Sequence, residues 1–254
     1  MTDGRRQAAN LVTAITQALA PAVPALGWGI AVGARQGFAS PAEVPAGYAF
    51  AIWGVIFALA LVYAVQQVRP SAAAAPLYRA IGGRTALLFA LSTLWMLVAQ
   101  FQGPTVALAG IIVVMWALAV KAMFAAQAAG ADAGGSGSVG GGGHAVAAAL
   151  LGLYAGWLTL AVALNLSAVV RETGAIGPAD APYVIGVLLA AGAVAAAIVW
   201  RARGPVWYTL AVIWGLVAVT AHNAQEVAGV HLSVAFVAGL LAAAIAMAAA
   251  YRRV

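Results

Sequence analysis

The sequence predicts an all-α integral membrane protein, a polytopic bundle of about eight transmembrane helices with both termini in the cytoplasm. Three observations carry that expectation. Of the 254 residues, 65% are hydrophobic and only 7% are charged, at a mean hydropathy of +1.01, which excludes an ordinary water-soluble domain of this size. Apolar runs of about 20 residues recur along the chain, long enough at about 1.5 Å per residue to cross a hydrocarbon core roughly 30 Å thick. The basic residues also fall between those runs in an alternating way, as cytoplasmic loops require.

The first span, 9–33, follows the charged segment MTDGRRQAAN; Ala20-Pro-Ala-Val-Pro is a weak cleavage signal, so a retained helix is expected. The second, 46–68, opens on Pro-Ala-Gly at Pro45 and carries Tyr48, Phe50, Trp53 and Phe57 without a charge. Trp53 lies roughly 10 Å inside that helix, deeper than the interfacial belt where Trp and Tyr ordinarily sit. Spans 79–101 and 104–126 come next. The tract AAGADAGGSGSVGGGGH then reads as a flexible Gly/Ser-rich linker, dividing the chain into residues 1–127 with four helices, the linker 128–144, and residues 145–254 with four more. Those last spans are 145–170, 182–201, 205–222 and 230–251. With the N-terminus inside, ten basic residues fall on the inner side and two, Arg35 and Arg171, on the outer side. The net charge of +6 is therefore topological and implies no nucleic-acid partner.

Trp28, Trp200 and Trp207 fall near helix ends as interface anchors, whereas Trp116, Trp157 and Trp214 fall near mid-bilayer, with Trp53 and Trp95 between the centre and the outer interface. In the fifth span Tyr154, Trp157, Ala161, Asn165 and Ala168 share one helical stripe; in the second, Phe50, Trp53, Phe57 and Leu61 share another. Facing each other, two such stripes line an aromatic cleft open toward the outer leaflet and suited to a flat apolar ligand with polar edges. Plain helix packing accounts for the same pattern, and the spacing does not separate the two.

Polar groups inside a bilayer need partners. Asn165, Gln100 and Gln102 are candidates for interhelical hydrogen bonds. Thr220, His222, Asn223, Gln225 and Glu226 end the seventh span on the outer side, and His231 starts the eighth. His222 and Glu226, four residues apart, are candidates for an outer gate, with solvated loop ends as the alternative. No metal site is expected from them. With no cysteine, thiolate chemistry and cysteine-linked cofactors are excluded. No nucleophile elbow, phosphate-binding glycine loop or HExxH is present, and the six acidic residues fall in loops or at helix ends, so no catalytic residue is assigned and an enzyme is the less favoured class. A retinal protein fails because the single lysine, Lys121, lies near the cytoplasmic end of its helix.

PAGYAFAIWGVIFALALVYAV resembles the second helix of the TspO/MBR family, the tryptophan-rich sensory proteins, whose pattern is roughly Pro-Pro-Gly-aromatic-x-Phe-x-x-x-Trp. Pro45, Gly47, Tyr48, Phe50 and Trp53 take those places, with one residue fewer before the Trp. LSTLWMLVAQF resembles the family's Asn-x-x-Trp segment, with Trp95 in place and Ser92 at the Asn position. LLGLYAGWLTLAVALN resembles Pro-Tyr-x-x-Trp-x-x-x-Ala-x-x-Leu-Asn through Tyr154, Trp157, Ala161, Leu164 and Asn165, with Leu153 at the proline position. The resemblance covers about residues 9–170, a five-helix region, and leaves 171–254 as an extension of a longer branch. The first loop, RQGFASPAEVPAG, lacks the family's Lys-Pro-x-Trp segment, in a loop that closes over the ligand in members. The resemblance implies a bacterial inner-membrane protein. Its ligand would be a porphyrin, haem or a sterol-like lipid, bound by the matching aromatics for transport, sensing or breakdown. Its partners would be the lipid bilayer, that small hydrophobic ligand and a second copy in a homodimer.

Overall fold

The computed structural model describes all residues except 1, 33–40, 71, 73, 104, 133–140, 175, 178–179, 225–228 and 254. Among the described residues there are eight α-helices and no strand: α1 Asp3–Leu19, α2 Ile52–Val68, α3 Pro76–Gln102, α4 Val106–Asp132, α5 Gly141–Glu172, α6 Ala181–Arg201, α7 Val206–Ala224 and α8 Gly229–Tyr251. Short 3-10 turns, Ala20–Leu26 and Gly47–Ala51, extend α1 and introduce α2. With those turns counted, all eight are long and apolar enough to cross a membrane.

The spacing of contacts gives two layers. α1, α2, α5, α4 and α3 pack in that order into a closed ring of five, and α6, α7 and α8 form a second group that leans on α5 through α7 and α6. α5 belongs to both and is the most enclosed element, with 72% of its span buried against 22–50% for the others. The helices on either side of the Gly/Ser-rich tract, α4 and α5, pack along each other; they reach into the expected linker, leaving only 133–140 outside the described residues.

The first span corrects the expectation most. Its helix starts at Asp3 rather than residue 9 and gives way to a 3-10 turn at Ala20, where Pro21 and Pro24 withhold two backbone donors. Hydropathy favours the apolar run, yet the polar N-terminal residues are helical because the bundle satisfies them. Arg6, Asn10, Ala14 and Gln17 face inward, while Val12, Ile15 and Leu19 face out. The Asn10 amide donates to Gly82 O (2.8 Å) and Arg6 O (2.9 Å), and its oxygen accepts from Thr85 Oγ1 (2.6 Å), which in turn accepts from the Tyr63 hydroxyl (3.1 Å). We expect Asn10→Leu to lower stability by about 1 to 2 kcal/mol, the upper range for interhelical hydrogen bonds in membranes. A thermal melt of detergent-purified protein would then drop by several degrees; an unchanged melt would show the network to be dispensable.

Close approach of α5 to α7 rests on Gly152 and Gly156, one turn apart on the same face. A Cβ at Gly152 would lie 2.6 Å from Trp207 Cβ and 2.9 Å from Tyr208 N. Small residues at this spacing let two backbones touch, the usual basis of tight helix pairs in lipid. A polar chain ties the same crossing: Trp116 Nε1 donates to Thr159 Oγ1 (3.0 Å), as does the Tyr208 hydroxyl (2.9 Å), while Thr159 donates to Ala155 O (2.8 Å).

Candidate functional site

Pro45 and the 3-10 turn after it deliver the chain into α2 across the outer end of the ring, so that Phe50 and Trp53 point at α5. Their partners are close. Phe50 meets Trp157 edge-on with centroids 5.7 Å apart, and Trp53 meets Trp157 at 6.4 Å and Tyr154 at 5.8 Å, both edge-on. Trp95 of α3 stacks on Trp53 at 6.4 Å, and Phe57 lies beneath it at 5.4 Å. These separations suit the ring quadrupoles.

Between them is a cavity of about 60 Å³, walled by Pro45, Phe50, Trp53, Trp95, Trp157, Ala161, Leu164 and Asn165, and completed by Ile112 of α4, Leu160, Leu188 of α6, and Gly215 and Val219 of α7. The second layer thus contributes part of the wall. Trp95 and Trp157 are 8% and 3% exposed, and their indole N–H groups are buried without an acceptor among the described residues. Two other indoles are satisfied: Trp214 Nε1 donates to Ala49 O at 3.0 Å and Trp116 to Thr159. Asn165 donates from Nδ2 to Ala161 O within its own helix (2.8 Å) rather than across helices, while Gln100 donates across to Ala20 O at 3.0 Å.

Four of the sequence candidates stand back from the wall. Gly47 opens the 3-10 turn; Tyr48 is 51% exposed and packs edge-on against Trp214 at 5.5 Å. Phe57 is covered by Trp53, and Tyr154 is fully buried, donating its hydroxyl to Gln17 Oε1 at 3.1 Å. Pro45, Phe50, Trp53, Trp95, Trp157, Ala161 and Asn165 do meet there. The wall members Ile112, Leu160, Leu188 and Val219 carried no signal that separates them from ordinary core.

The outer segment before α2 is fastened at several points. Ala46 N–H donates to Ala218 O (3.0 Å), and Asn223 Nδ2 donates to Ala42 O (2.7 Å), with Asn223 Oδ1 in turn accepting from His231 Nδ1 (2.8 Å). Asn223, rather than its neighbour His222, is the polar side chain at the end of α7 that bonds this segment. His222 is half-buried in the last turn of α7, and Glu226 lies outside the described residues. The acidic residues do not all lie in solvated loops either. Glu43 is 2% exposed and forms a two-pronged ion pair with Arg171, whose Nε and NH2 each lie 2.9 Å from a carboxylate oxygen, and it accepts the Ser167 hydroxyl as well.

Two further hollows, of about 360 Å³ beside His144 and Trp207 and about 350 Å³ along α5 and α6 beside Trp116, lack such a cluster of rings. Among the described residues, no group of three His, Cys, Asp or Glu side chains gathers to hold a metal.

No curated protein and no solved structure matches the chain. A family profile described as TSPO-like protein matches residues 10–251, from α1 through the last helix. A match of that length, on eight membrane-crossing helices whose first five close into a ring around stacked tryptophans, shows that this multi-pass membrane protein belongs to the TSPO-like protein family.

Proposed function

We propose that the protein binds a planar hydrophobic ligand, of the porphyrin or haem kind or a sterol-like lipid, in the aromatic cavity between α2, α3 and α5, for transport or sensing. The supporting observation is the pair of buried indole N–H groups on Trp95 and Trp157, left without an acceptor among the described residues, at the wall of a cavity that Phe50 and Trp53 line beside them. An unmet buried donor is costly, on the order of 1 to 3 kcal/mol, and a ligand acceptor would relieve that cost. Trp53, Phe50 and Trp157 offer ring faces and edges, and Asn165 offers its amide oxygen to a polar rim.

The volume sets a condition on entry. Ligand pockets for molecules of this size run from about 300 to 1,000 Å³, so a cavity of about 60 Å³ is a closed state. The segment Pro41–Ala51 has to swing outward and carry Pro45 and Phe50 with it before a macrocycle can enter. In the same reading residues 9–170 are the ligand-binding bundle and 171–254 an added layer that anchors the segment through α7. The charge distribution supports an inner-membrane orientation with both termini cytoplasmic, and a homodimer is a compatible assembly.

The test is a titration of detergent-purified protein with a porphyrin and with haem, following tryptophan fluorescence and the ligand's visible band. Saturable quenching is expected in the wild type, weakened about five- to tenfold by Trp53→Ala and by Trp157→Ala, the loss of one stacking partner being worth about 1 to 1.5 kcal/mol. Quenching that is absent, or that both variants retain, would refute the site. A visible band that bleaches under illumination instead of shifting would point to breakdown of the bound ligand.

A further inference from the structure

The segment that closes the cavity is fastened by charge in a place where charge is expensive. Glu43 receives Nε and NH2 of Arg171 and the Ser167 hydroxyl. The remaining Arg171 nitrogen, NH1, donates to Gly177 O, and the guanidinium sits 5.2 Å from the Tyr183 ring centroid. The Arg171 side chain is only 11% exposed. A buried pair of this kind contributes little net stability, because desolvation offsets the attraction. What the pair does offer is a planar fork that accepts any carboxylate in two-pronged fashion.

Its position connects it to the cavity. Glu43 comes two residues before Pro45 in the cavity wall. Arg171 lies six residues beyond Asn165 on α5, about 9 Å along the helix axis. A ligand lying against Trp53 and Trp157 with a short acidic arm directed outward would therefore present its carboxylate at Arg171.

Resting on the reading of the cavity as a ligand site, we propose that Arg171 is its anion-recognition residue and that Glu43 is a resident stand-in for the ligand's own carboxylate. The ligand class is then an amphipathic acid, a flat apolar body with at least one carboxylate arm, rather than a neutral lipid. Binding exchanges one carboxylate for another on the same guanidinium. Arg171 stays paired and the Ser167 hydroxyl keeps an acceptor. Glu43 moves into outer-face water with its segment, which is the movement that entry requires. No covalent bond changes.

The test compares a porphyrin dicarboxylic acid with its dimethyl ester, matched in ring and size, by tryptophan quenching of the full-length protein in detergent. The acid is expected to bind the wild type at least tenfold more tightly than the ester. Glu43→Gln removes the competing charge and loosens the segment for either probe, so it should tighten the acid several-fold more than the ester; Glu43→Gln with Arg171→Gln should bind both alike. Equal binding of acid and ester by the wild type overturns the anion role and leaves the cavity reading standing. A preference for the acid that survives in the double variant also overturns it. If neither probe binds, both readings fall together. The wild-type comparison decides without any variant having to fold.

Discussion

Gly156→Leu is expected to prevent α5 and α7 from reaching their native separation, leaving little folded protein and a melt lowered by roughly 10 °C in what survives. Adding volume to a packed interior ordinarily costs about 1 to 3 kcal/mol, and the upper end or beyond applies where the obstacle is main chain. That is the case here. A Cβ at Gly156 would lie 2.9 Å from Ala211 Cβ and 3.1 Å from the Tyr208 carbonyl carbon, neither of which can rotate away. The damage would spread outward, since α7 also carries Trp214, Ala218 and Asn223, which hold the segment before α2. Gly110→Leu on α4 is the matched control, because nothing lies within 4 Å of a Cβ there. Fluorescence-detected size exclusion and a thermal ramp of both variants decide the matter. Equal profiles would mean that the α5–α7 crossing is not what the bundle depends on.

Arg171→Met should be nearly as damaging by a different route. It leaves the Glu43 carboxylate buried with only the Ser167 hydroxyl, and removing one partner of a buried pair costs about 3 to 5 kcal/mol. In a chain of this length that is a melt lowered by roughly 6 to 20 °C. Glu43→Leu combined with Arg171→Met removes both charges and should recover most of the loss. The coupling between the two substitutions, from a double-mutant cycle of melts, is the measured quantity. If the double variant loses the sum of the two single losses, the residues are independent and the pair does not fasten the segment.

Helix number and the aromatic stripes were legible because both are local. Windows of hydropathy find spans, and Phe50 with Trp53, or Tyr154 with Trp157, recur at helical spacing whatever surrounds them. What escaped was set by distant partners. Glu43 reads as loop within Ser-Pro-Ala-Glu-Val-Pro, and only folding brings Arg171, 128 residues later, against it. Asn223 and His222 are adjacent and both polar, and nothing in the sequence says which one faces Ala42. Leu188 and Val219 are ordinary aliphatic residues until α6 and α7 press them against the cavity. The start of α1 was missed because a window average weighs residues by solubility, whereas Arg6, Asn10 and Gln17 are placed by what they touch.

That inverted first helix bears on how the protein is made. On its own, α1 would turn Asn10 and Gln17 toward hydrocarbon without their partners, with Arg6 near its start, and polar side chains at that depth disfavour insertion. Its partners, α2 and above all α3 with Gly82 and Thr85, leave the ribosome only later. The N-terminal segment is thus synthesised first and gains a stable place in the bilayer only when α3 has crossed it. The order of assembly would then depart from the order of translation, with the ring of five closing on α1 only after α3 has emerged.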